Sequence, residues 1–137
     1  MFIIVQNAKA KENRVALTVI KKSETPTRAF GKGCTCKILL NEDNGLKNAG
    51  VASVFIEPGK KTVVHTREVE EIIFAHKGDV WVITDNAEYE LKQGDCIYIP
   101  AGTKHCHENK SNETIEQLFI CAPGTPANDL KALEIIK

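Results

Sequence analysis

GDCIYIPAGTKHCHEN, residues 94–109, is the stretch whose reading decides the fold. Gly94 and Asp95 open a run, residues 96–99, whose β-branched and aromatic side chains suit a strand. Pro100, Ala101 and Gly102 then turn the chain, and His105 begins the return. Side chains alternate between the two faces of a strand, so His105 and His107 point the same way if the return strand is regular.

Working outward, GKKTVVHTREVEEIIFAHKG, residues 59–78, begins and ends on glycine and carries His65, Arg67 and Glu71 between. His65 and Arg67 are two apart and share a strand face, and Glu71 rejoins them after a bend through EVE (68–70). Around these stretches the runs ALTVI, CTCKILL, VASVFI, DVWVIT, EYEL and IEQLFICA alternate with the turn-formers NEDNG, TDNA and NKSN. That rhythm predicts an all-β sandwich or barrel. The tail NDLKALEIIK (128–137) has a partly amphipathic pattern behind an Asn/Asp cap, predicting a helix lying on the barrel or an extended arm on a partner subunit.

A chain of 137 residues fits one domain, 1–137, with a barrel core at about 30–122, N-terminal strands within 1–29 and a C-terminal tail at 123–137. Lys and Arg total 18, as do Asp and Glu, and neither sign forms a long run, so a nucleic-acid groove or a membrane-binding face has no compositional support. A small molecule or another protein is the expected partner. The apolar run after Met1 is only four residues long, neither a secretory signal nor a spanning helix, so the expected location is cytoplasmic. Five cysteines without CxxC spacing argue against a disulfide framework and read as small buried hydrophobes, Cys34 and Cys36 on one strand face.

The two glycine-framed stretches together resemble the cupin superfamily, whose signatures read Gx5HxHx3-4Ex6G and Gx5PxGx2Hx3N. The second is matched at every fixed position by Gly94, Pro100, Gly102, His105 and Asn109; the first is matched by Gly59, His65, Glu71 and Gly78, with Arg67 at the second histidine position. The resemblance implies a jelly-roll or double-stranded β-helix barrel, usually a homodimer, holding a divalent metal in its mouth. It places His65, Glu71 and His105 at ligand positions for Fe(II), Mn, Ni or Zn. A protonated guanidinium has no free lone pair, so Arg67 is not a ligand. It either pairs with Glu71 or grips a substrate carboxylate, phosphate or enolate.

Other polar residues have two readings each. His107 is a substitute ligand, a catalytic acid or base, or a histidine hydrogen-bonded within the core. His76 reads as a surface or edge residue. Gln117 interrupts an apolar strand and is expected to face outward, the alternative being an inward amide that orients water or substrate. Tyr98 offers a phenol to the cavity or simply packs, Trp81 and Phe74 are expected in the wall, and Asn109 is expected to fix a turn.

Three functions fit. The first is a metal-dependent enzyme of dioxygenase, isomerase or decarboxylase/lyase type acting on a small acidic or sugar-like metabolite, with His65, Glu71 and His105 at the metal and Arg67 and His107 assisting. The second is a non-catalytic binding or sensor module. The third is a metal-free isomerase or epimerase with His65 or His105 as base.

Overall fold

The computed structural model describes residues 17–137. Strands form where the β-rich runs lie: β1 (Arg28–Ala29), β2 (Cys34–Leu40), β3 (Gly50–Ile56), β4 (Glu70–Lys77), β5 (Val80–Ile83), β6 (Glu88–Leu91), β7 (Cys96–Ile99), β8 (Cys106–Glu108) and β9 (Ile115–Ala122). They pair antiparallel into a large sheet, ordered β1-β2-β3-β9-β4-β7, and a small one, ordered β6-β5-β8. Inward faces of both sheets meet in one apolar cluster, with Cys36, Ile38, Val54 and Ile73 from the large sheet against Val80, Val82 and Leu91 from the small one. This is the all-β barrel that the strand rhythm predicts, in the jelly-roll form that the resemblance implies.

Period-two alternation decides which polar residues enter that core. Along β4, Glu71, Ile73 and Ala75 are buried while Glu70 and Ile72 are exposed, so one carboxylate rides inward on an apolar face. Along β9, Ile115, Gln117, Phe119 and Cys121 share the inward parity. Glu116, on the opposite parity, is also buried, beneath Lys22 at 2.7 Å and Ser53 at 2.8 Å. That ion pair holds the short 3-10 turn at Lys22–Glu24 against the outer face of the large sheet.

Two expected elements differ. The ALTVI run is not a strand over 17–20, and β1 is the strand found among residues 17–29; residues 1–16, where the remaining N-terminal strands were expected, lie outside the described residues. The run KTVVH (61–65), whose His65 was expected on a strand face with Arg67, forms no regular strand either, because its pairing with β8 is irregular. His65 bridges His105, but Lys61 bridges Glu108, a slip of one residue relative to a continuous ladder. The extra residue leaves both Val63 and Val64 exposed.

The tail is a helical turn followed by an extended segment. Helix α1 (Thr125–Asp129) begins three residues before the predicted tail because Pro126 suits a first helical turn, and it passes into a 3-10 turn at Leu130–Ala132. The chain then runs back along β1 of its own barrel: Ala29 N–H donates to Glu134 O at 2.8 Å and Ile136 N–H to Thr27 O at 2.8 Å. The Arg28 guanidinium adds a bond to Leu133 O at 2.9 Å. No helix of the described residues is long and apolar enough to cross a membrane.

Candidate metal centre

His65 and His105 stand directly opposite each other and exchange both backbone hydrogen bonds, His65 N–H to His105 O at 2.9 Å and His105 N–H to His65 O at 3.0 Å. Side chains of such a pair leave the backbone on the same side, and their ring centroids are 4.4 Å apart. The turn that delivers His105 is tied down from two directions. Thr103 Oγ1 donates to Pro100 O at 2.8 Å, and Gly102, at φ +82°, donates its N–H to Arg67 O at 2.8 Å.

Each of these imidazoles is oriented through its other nitrogen. Nδ1 of His65 lies 2.7 Å from Val63 O and Nδ1 of His105 lies 2.8 Å from Thr103 O, so Nδ1 carries the proton and donates, leaving the Nε2 lone pair free. His107 follows on the same face, its backbone N–H donating to Thr62 Oγ1 at 2.9 Å. His105 Nε2 and His107 Nδ1 are both buried without a hydrogen-bond partner. Glu71 faces them from β4, its Oε2 3.8 Å from His105 Nε2. The donor atoms of His65, Glu71, His105 and His107 all lie within 4.8 Å of one another.

Such a group could hold a metal ion. Three imidazoles and one carboxylate suit a borderline divalent cation, and bond lengths of about 2.0–2.2 Å set neighbouring donors about 3–4 Å apart. The Glu71–His105 separation of 3.8 Å already falls in that range, and no donor pair is more than 4.8 Å apart. Protonation favours it as well. Burial lowers His65 to about 4, helped by the charge of Arg67, and lowers His105; it holds His107 well below the ordinary histidine value. All three are neutral with lone pairs available. Glu71 is raised to about 7 by burial, with Arg67 pulling the other way. A cation placed among these groups would restore its charged form.

Arg67 does not settle into a closed pair with Glu71. Its Nε is 3.5 Å from Glu71 Oε1, a charge contact, yet that buried N–H has no hydrogen-bond partner. The guanidinium instead lies over the Phe119 ring, 5.1 Å from its centroid. Gln117, expected to face outward, is buried and turned in, its Oε1 without a partner. The clue was available in the sequence: Gln117 shares parity with Ile115, Phe119 and Cys121, the apolar face of its strand.

Remaining candidates lie away from the cluster. His76 is exposed, as its position suggests, and Tyr98 is exposed on the outside of β7. Asn109 fixes a turn, with Nδ2 donating to Ile56 O at 2.9 Å and Glu113 O at 2.7 Å while Oδ1 accepts from Ser111 N–H. Four cysteines are buried as read, but Cys96, at the start of β7, is exposed.

A barrel of two antiparallel sheets with histidines and a carboxylate converging from different strands defines a class, and comparison with known proteins bears it out. The family model described as Cupin domain matches residues 52–121, and the chain belongs to that family. An uncharacterized protein of Methanocaldococcus jannaschii is 34% identical over 91 residues, 66% of this chain and 72% of the relative. A predicted oxalate decarboxylase of Thermotoga maritima superposes with a TM-score of 0.68 at 25% identity, covering 77% of this chain and 98% of that one. The polyketide cyclase RemF of Streptomyces resistomycificus superposes with a TM-score of 0.69 at 18% identity, covering 77% and 79%.

Proposed function

We propose that this chain is a small metal-dependent cupin enzyme acting on a small acidic metabolite, with His65, Glu71, His105 and His107 as its ligands. One observation carries the proposal: one donor atom from each of His65, Glu71, His105 and His107 lies within 4.8 Å of the others, and two ring nitrogens of the group, His105 Nε2 and His107 Nδ1, are buried with no hydrogen-bond partner. His107 takes the place in the ligand set that Arg67 cannot fill. A divalent cation bound there supplies Lewis acidity to an oxygen of the substrate. Arg67 holds an acidic group of the substrate, Gln117 orients a polar group through its free amide oxygen, and the Phe119 ring keeps the guanidinium in place. The likeness to the predicted oxalate decarboxylase, at 25% identity, supports a small acid.

With all four titratable side chains ligating, the inner cavity has no free general base among the described residues. Its other lining groups are Arg67, Gln117 and apolar side chains. Oxidative cleavage or lyase chemistry, which takes protons from water, fits this better than proton-shuttling isomerisation. A homodimer and a cytoplasmic location complete the proposal; light scattering after size exclusion tests the former.

Zinc, manganese, nickel and iron(II) should each be offered to chelator-treated protein and uptake read by native mass spectrometry. One ion per chain is expected, with affinity reduced at least tenfold in His105→Ala and in His107→Ala, and little changed in His76→Ala. No stoichiometric uptake, or equal uptake by all variants, would defeat the proposal. Turnover that resists chelators would favour the metal-free isomerase instead.

A further inference from the structure

His65 and Arg67 line two cavities of very different size, which also share Phe30 in their walls. The inner one, beside Glu71, His107 and Gln117, has room of about 10 Å³, no more than a single water needs. The outer one, about 240 Å³, is walled by Phe30, Val63 and Leu133, with His65 and Arg67 at its floor. A ligand bound at this site therefore keeps most of its atoms in the outer chamber and sends only its reacting end toward the ligands.

That chamber is poor in polar groups. Thr62 supplies a hydroxyl, already engaged by the His107 N–H, and Arg67 is the only permanent cation in its wall among the described residues. A sugar would leave several hydroxyls without partners there, and a phosphate dianion would meet one guanidinium where its charge calls for more. One carboxylate on Arg67 with a short aliphatic body against Phe30, Val63 and Leu133 leaves nothing unmatched. Arg67 Nε is buried facing Glu71 Oε1 at 3.5 Å, so the carboxylate belongs at the terminal nitrogens of the guanidinium, whose side chain is 21% exposed.

We propose that the substrate is a short-chain monocarboxylate with an apolar, unphosphorylated body, its carboxylate held by Arg67 and its hydrocarbon part in the outer chamber. This deepens the reading of Arg67 as an acid anchor given above and does not require that the metal be bound.

Isothermal titration with 3-methylbutanoate, acetate, 3-methylbutanamide and glucose 6-phosphate, on zinc-loaded and on chelator-treated protein, tests it. 3-Methylbutanoate is expected to bind at least about tenfold tighter than acetate, since each buried methylene is worth several-fold. It should also bind at least tenfold tighter than its amide, and glucose 6-phosphate should bind more weakly than either acid. Arg67→Gln should erase the acid-over-amide preference. Val63→Ser, at a position 73% exposed where folding is not at risk, should weaken 3-methylbutanoate about threefold and leave acetate unchanged. Equal affinity for acid and amide, equal affinity for acetate and 3-methylbutanoate, a preference for glucose 6-phosphate, or no binding of any probe overturns the proposal. Metal stoichiometry is read separately, so loss of zinc uptake with the ligand ranking intact would sink the metal centre and leave this inference standing.

Discussion

His65, His105 and His107 are basic groups kept from their protons, and the metal-free protein should show it. In the unfolded chain they protonate near the ordinary value of 6.5, whereas burial lowers all three in the folded state, His65 to about 4. Between those pH values the unfolded state binds more protons, so stability rises with pH across the window. Glu71 acts in the opposite sense: its carboxyl, raised from 4.5 to about 7, keeps its proton in the folded state, and that contribution fades as pH rises through the same range. Three imidazoles outweigh one carboxyl. The melting temperature of chelator-treated protein should therefore be higher at pH 6.5 than at pH 4.5, and Glu71→Gln should steepen the rise. A flat or inverted profile would show that the histidines are not desolvated as described.

At the scale of elements, the second glycine-framed stretch was fully legible and the first only in part. Turn residues act locally, so Pro100, Gly102 and Asn109 announce their geometry within a few positions. Gly78 is similar, at φ +79° with Ile115 Cγ2 only 2.6 Å from where a Cβ would stand. Asn109 ties its turn through Ile56, Ser111 and Glu113, so Asn109→Ala should lower unfolding stability by about 2–4 kcal/mol, checked by urea titration. A loss under ~0.5 kcal/mol would mean the turn holds without it. The bulge opposite β8 and the inward Gln117 were not read from sequence. Each depends on register across strands far apart in the chain, which local pattern does not encode. Whether Arg67 pairs with Glu71 or is free for a substrate is not encoded locally for the same reason; the β4 and β9 pairing sets Ile73 opposite Phe119 and Glu71 opposite Cys121, and the guanidinium lies over the Phe119 ring.

Over the whole molecule, the last residues close the barrel on the segment that carries Phe30. Glu134 and Ile136 bond to the backbone on either side of Arg28, and Leu133 reaches the outer chamber. Deleting residues 134–137 should cost about 1–3 kcal/mol and speed amide exchange at Ala29, whose N–H loses its acceptor Glu134 O, while zinc uptake stays at wild-type stoichiometry. Exchange at Ala29 unchanged by the deletion would show that the tail contributes nothing to β1. Within ALTVI, residues 17–20 have strand composition but pair with no strand, whereas CTCKILL and VASVFI form β2 and β3.

The tail's place beside the chamber bears on how the protein is prepared. A polyhistidine handle fused after Lys137 would hang from the segment whose Leu133 walls the outer chamber, and would bring its own ligands for divalent ions. Metal analysis and ligand titration belong on material whose handle has been cleaved or sits ahead of Met1.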